Sequence, residues 1–131
     1  MRLWLLTTGG VICVTCKFVF LARFDRAVKQ LKKQYRQIAA DLETALESIE
    51  VNPEVGTVIP RDYSVRKLRV ASRDMRRGKS GGFRLLYKLE SAANEDFIAY
   101  ILFVYTKIDQ ADVSLKELED LTRMVQDNLD E

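Results

Sequence analysis

Residues 97–107 read FIAYILFVYTK: ten apolar, aromatic or hydroxyl residues closed by one cation. β-branched and aromatic side chains dominate the run and no Gly or Pro interrupts it, which suits a strand. It is apolar at almost every position, not at alternate ones. That marks a central strand covered on both faces. Such a strand needs neighbours. Residues 65–72 and 82–90 supply two further strand signals, and the connections between the three suit antiparallel hairpins.

Upstream, the apolar positions Phe24, Val28, Leu31, Tyr35, Ile38, Leu42, Leu46 and Ile49 are spaced by three or four. This is one face of a helix. No Gly or Pro lies between Phe24 and Asn52, so one long helix fits, and so does a helical hairpin with a break near residues 33–35. Asn52-Pro53 ends the helix, because the residue before proline avoids helical geometry. Residues 54–64, with Gly56 and Pro60, read as a loop. Downstream, Ser114-Leu-Lys-Glu117 is a capping box, followed by a helical stripe at Leu118, Leu121, Val125 and Leu129.

The first 22 residues allow two readings. Leu3 to Cys16 is uncharged and follows one Arg, as in a short secretory signal. Gly9-Gly10 interrupts that run, no small-x-small cleavage site follows, and Lys17 ends it too early for a membrane-spanning helix. Residues 14–21 read as a first strand. Residues 1–13 are then an apolar extension, from a start codon placed upstream of the domain, and residues 14–131 form the domain. A chain of 131 residues suits a single core. The expected fold is α+β in the order β-α-α-β-β-β-α. Helices cover one face of a mainly antiparallel sheet and leave the other free to work.

The chain has no histidine, which removes the commonest general base and zinc ligand together. Cys13 and Cys16 form a C-x-x-C, but it lies inside a strand-like run and has no second ligand pair. They read as two half-buried thiols, not a redox or zinc site. No metal or cofactor is expected.

The net charge of +2 conceals a division. Residues 61–90 carry ten basic and three acidic side chains, whereas residues 91–131 carry three basic and ten acidic. A +7 segment of thirty residues is a candidate anion-binding surface. On charge alone, a solvated basic hairpin balanced by an acidic helix fits as well. Strand alternation sharpens the choice. Leu68 and Val70 share a face, with Lys67 and Arg69 opposite. Phe83, Leu85, Tyr87 and Leu89 share a face, with Arg84, Leu86 and Lys88 opposite. If the apolar sets meet the helices, Lys67, Arg69, Arg84 and Lys88 all point away from them, and Tyr105 and Lys107 join that face. Arg73, Arg76, Arg77 and Lys79 lie at its rim. Arginine makes bidentate phosphate contacts, lysine gives a compact charge or a base, and tyrosine stacks or donates. This inventory suits RNA strand scission, and equally RNA or DNA binding.

VRKLRVA from Val65, RGKSGGFRLLY from Arg77, ILFVYTK from Ile101 and VSL from Val113 together resemble the RelE/ParE superfamily of bacterial toxins, closest to its HigB-like branch. GKSGG is not a phosphate loop, since no Gly lies five positions before Gly78. The resemblance implies a RelE-like, microbial RNase-like fold and a helical hairpin over residues 24–49. It implies a cytoplasmic, metal-independent endoribonuclease toxin that cuts mRNA, in many members on the translating ribosome. It also implies a cognate antitoxin encoded by an adjacent gene. By position, Arg84 would stabilise transition-state charge, and Lys67 and Arg69 would hold phosphates or assist proton transfer. Lys79 would support the phosphate at the turn, and Tyr105 and Lys107 would serve in stacking and acid roles. Arg66, Arg73, Arg76, Arg77 and Lys88 would add RNA contacts. A gyrase-poisoning toxin on the same scaffold, or a catalytically inactive RNA- or partner-binding module, are the competing readings.

Overall fold

The structure is a computed structural model that describes residues 16–59, 62–74, 82–91, 96–107 and 114–129. Eight elements follow one another: β1 (Cys16–Phe20), α1 (Ala22–Lys32), α2 (Ile38–Val51), β2 (Thr57–Ile59), β3 (Asp62–Val70), β4 (Phe83–Ser91), β5 (Phe97–Thr106) and α3 (Leu115–Leu129). The five strands form one sheet in the order β1-β5-β4-β3-β2. β1 runs parallel to β5, and the other pairs are antiparallel. The α+β class and the mainly antiparallel sheet are those expected.

β5 lies inside the sheet, and Ile101 and Leu102 are both fully buried although they point to opposite faces. Each such side chain contributes roughly 1.5–3 kcal/mol by leaving water. On one face, Phe83, Leu85, Tyr87, Ala99, Ile101 and Val104 meet Phe24 of α1 and Ile38, Leu42, Leu46 and Ile49 of α2. On the other, Val65, Leu86, Tyr100, Leu102 and Tyr105 meet Leu118, Leu121 and Val125 of α3. The expected one-sided helical layer is therefore the α1–α2 hairpin. α3 goes to the opposite face, because that face carries its own apolar set. Leu129, the last residue of the expected α3 stripe, has a side chain outside the described ones.

The helical periodicity through Tyr35 came from a turn, not from a continuous helix. The Gln34 and Tyr35 amides both donate to the Leu31 carbonyl, at 3.0 and 2.8 Å, and close α1. Tyr35 is buried in that turn and meets the Phe83 ring edge-on at 5.4 Å. It thus keeps the core spacing while the backbone reverses. At α3, Ser114 Oγ accepts from the Glu117 amide at 3.2 Å and donates to Glu117 Oε1 at 3.3 Å. The cap forms, with the glutamate meeting the serine hydroxyl.

β2 falls within the segment read as a loop. Three residues are too few to show alternation, and Val58 is largely exposed. The loop before it is tied down by Tyr87. Its hydroxyl donates to the Pro53 carbonyl at 2.8 Å and accepts from the Gly56 amide at 2.9 Å. Burial pushes the Tyr87 pKa up.

Gly82 enters β4 with φ +87°, and a Cβ there would lie 2.3 Å from the Val70 carbonyl oxygen. The glycine thus permits close backbone approach at the end of β3. Gly82→Ala is expected to destabilise the protein by about 1–3 kcal/mol in urea titration; an unchanged midpoint would refute this role.

Glu50 closes α2, whose last turn holds no basic residue. Its Oε2 is buried without a hydrogen-bond partner among the described residues, and burial, then the Glu47 charge, pushes its pKa up from the ordinary carboxylate value. A carboxyl raised on folding stabilises below its unfolded pKa and loses that contribution as pH rises through the folded value. Glu50→Gln should therefore gain stability over the native chain as pH climbs from about 4.5 to 7, and thermal melts across that range check the sign.

Candidate functional site

The β3–β4–β5 register aligns three of the expected site residues. Arg69 pairs with Arg84, and Arg84 pairs with Tyr105, in one row across three strands. Opposed residues have Cβ atoms about 5 Å apart, and like charges so placed repel. The next row brings Lys67 opposite Leu86 and Phe103. All these side chains lie on the face that α3 approaches.

A β-bulge shapes this end of the sheet. Leu86 pairs with Phe103 and Tyr87 with Ile101, so Leu102 is an extra residue in β5. Leu102 and Phe103 both join the second core, and the alternation shifts by one. Tyr100 and Tyr105, five residues apart, therefore share a face. Beyond the bulge, ordinary alternation puts Phe103 and Tyr105 on one face, their rings near-parallel with centroids 6.1 Å apart. The Arg23 guanidinium of α1 lies 5.5 Å from the Phe103 centroid and 4.0 Å from a Glu117 carboxylate oxygen of α3.

Exposure divides the row. Arg69 and Lys107 are exposed and Lys67 is half-buried. Arg84 is only 6% exposed and Tyr105 3%. Arg84 Nη1 donates to the Phe83 carbonyl at 3.3 Å. A guanidinium so withdrawn from water interacts strongly with any charge that reaches it.

Other expected residues go elsewhere. Lys88 shares the face but sits beside Val65 and Tyr100, about 14 Å along β4 from Arg84, and its Nζ lies 3.8 Å from Glu90 Oε1. Arg66 points to the opposite face. Its Nη1 donates to the Glu54 and Gly56 carbonyls at 2.9 and 2.8 Å, and it pairs with the Glu54 carboxylate at 3.4 Å. It braces the loop before β2. Arg76, Arg77 and Lys79 lie outside the described residues.

Arg73 stands at the stem of the basic loop and is held by Asp41 of α2. Both carboxylate oxygens accept from the Arg73 amide, at 3.3 and 3.1 Å, and the guanidinium approaches to 3.5 Å. Beside it, Asp74 accepts from the Gln37 amide at 2.8 Å, at the start of α2. A cavity of about 270 Å³ lies between α2 and β3, lined in part by Asp41, Leu68, Arg69 and Arg73. Sequence reading missed Asp41, Arg23 and Phe103. The signal for Asp41 was present: an acid one turn from Ile38 and beside Leu42, on the buried stripe. So was that for Phe103, which has the parity of Tyr105 and Lys107; what alternation could not reveal was that the bulge brings Tyr100 and Leu102 to the same face.

The thiol of Cys16 is buried, and burial together with the Glu50 charge pushes its pKa up to about 11. It is poorly suited to nucleophilic or redox work. Cys13 lies outside the described residues. Among the described residues, no helix is long and apolar enough to cross a membrane.

Asp41→Ala removes the acceptor for the Arg73 amide and guanidinium. It should cost about 1.5–3 kcal/mol in urea unfolding, with Asp41→Asn costing less; equal losses in the two variants would count against an electrostatic role.

The model of the family described as ParE toxin of type II toxin-antitoxin system, parDE, matches residues 20–107. The match runs from the end of β1 to Lys107, two thirds of the chain, and spans the helical hairpin and every strand of the cationic row. The chain belongs to this ParE toxin family, within the RelE/ParE superfamily of type II toxin–antitoxin toxins.

Proposed function

We propose that this toxin is an endoribonuclease that cuts mRNA in the cytoplasm during translation and is neutralised by a cognate antitoxin encoded beside it. The observation that carries this reading is the Arg69–Arg84–Tyr105 row, which sets two guanidiniums and a phenol on adjacent strands. In the proposed reaction the ribose 2′-OH forms a bond to the adjacent phosphorus. The bond to the 5′-oxygen breaks, leaving a cyclic phosphate and a free 5′-OH. Arg84 meets the charge that gathers on the phosphoryl oxygens. Arg69 and Lys67 hold the phosphate in line. Tyr105 and Lys107 move the protons, one onto the leaving oxygen. The exposed Arg69 and Lys107 are the first cations a phosphate meets, and whatever covers Arg84 must shift for it to go further.

A second reading, gyrase poisoning without RNA cleavage, is favoured by the ParE description of the matching family and by the burial of Arg84 and Tyr105. Induction of the chain in a bacterium separates the two. The nuclease reading expects rapid loss of translation with mRNA cut within codons. It expects Arg84→Ala, folded to the same melting point, to cut at least about a hundredfold more slowly. DNA-damage signalling with intact mRNA would establish the alternative.

A further inference from the structure

The sheet row does not exhaust the cationic surface. Arg23, Arg26, Lys29, Lys32, Lys33 and Arg36 lie on α1 and the turn after it, against one acid, Asp25. Phe24, Val28 and Leu31 turn to the core, so the cations take up the solvent side of the helix. All but Arg23 are exposed. Arg23 makes an ion pair with Glu117, and no ion pair from the others to the described residues is present.

Helix stability does not ask for this arrangement. Lys29 and Lys32 sit in the last turn of α1, where cations suit the helix dipole. Arg23 is in the first turn, where they oppose it, and Arg26 follows directly. Arg26 and Lys29, Lys29 and Lys32, and Lys29 and Lys33 are like charges at helical contact spacing, which repel. A polyanion laid along the helix offsets these repulsions by attracting every one of the cations. Lys29 and Lys32 border a groove of about 480 Å³ between α1 and α2, lined in part by Phe24, Val28 and Leu46, whereas Arg26, Lys33 and Arg36 stand outside it. A protein partner would fill that groove, whereas a phosphate backbone would engage the exposed cations outside it. The stripe begins at the site: Arg23 stands over Phe103, Phe103 stacks on Tyr105, and Tyr105 pairs with Arg84. From Arg23 to Lys32 it runs about 14 Å along the helix.

We propose that the solvent face of α1 is a second RNA-backbone surface, continuous with the sheet row, that holds RNA beyond the nucleotides at Arg84. This rests on the nuclease reading and extends it to a longer RNA. The test uses the full chain and two RNAs made resistant to cutting by 2′-O-methylation, one of five nucleotides and one of thirty. In Arg26→Gln/Lys33→Gln/Arg36→Gln, the slope of log affinity against log salt for the longer RNA should fall by about 2, as expected for three lost phosphate contacts on a single strand. Affinity for the five-nucleotide RNA should not change. Arg26→Glu covers the case of a triple variant that folds poorly. A glutamate there faces Lys29 three residues on, so the melting point should hold or rise while affinity for the long RNA falls. An unchanged salt slope, an equal loss for both RNAs, or a loss of antitoxin binding with the RNA slope intact would each overturn the proposal. If Arg84→Ala abolishes cutting while the stripe variants bind as the native chain does, only this inference fails. A native chain that binds neither RNA overturns both.

Discussion

The burial of β5 on both faces is the constraint from which the rest of the architecture follows. A strand that is apolar at nearly every position cannot be satisfied by one layer of helices. The α1–α2 hairpin covers Ala99, Ile101 and Val104. α3 must then cover Tyr100, Leu102 and Tyr105. The β4 strand repeats this duality, with Phe83, Leu85 and Tyr87 on one side and Leu86 and Arg84 on the other. The cationic row is therefore built at the margin of a second hydrophobic core. That position explains how an arginine can be almost wholly withdrawn from water while its strand neighbours are apolar.

Such a placement is costly by ordinary standards. A buried guanidinium opposite a second arginine forgoes hydration and meets repulsion. In the proposed reaction the same low dielectric that penalises the cation would strengthen its attraction for a phosphate. The supporting structure fits this view. Asp41 and Asp74 fasten the stem of the basic loop to α2. Arg66 and Tyr87 lock the loop before β2. Gly82 lets β4 begin directly against the end of β3. The β3–β4 register itself sets Arg69 opposite Arg84.

Much of this was legible in the residues. The strand at Phe97–Thr106, the capping box at Ser114 and the sharing of one face by Lys67, Arg69, Arg84 and Lys88 appear in the structure, but that face, expected to be free of helices, is the one α3 covers. Other features were not legible, for stated reasons. Tyr35 keeps helical spacing through a turn because core contacts, not backbone hydrogen bonds, select the residue there. β2 is too short to carry a pattern. Arg66 and Arg69 are chemically alike in sequence, yet one braces carbonyls on the helical face and the other joins the row.

The sequence by itself determined the element types, the apolar faces and the set of cations available, because propensity and periodicity are local properties. Tertiary structure alone decided which cations meet. The bulge at Leu102 shifts β5 by one residue and brings Tyr100 to the face of Tyr105, and no local pattern encodes a pairing register. The face taken by α3, and the approach of Arg23 to Phe103 from α1, depend on how two cores close around one strand. That is a property of the packed sheet, not of any segment read alone.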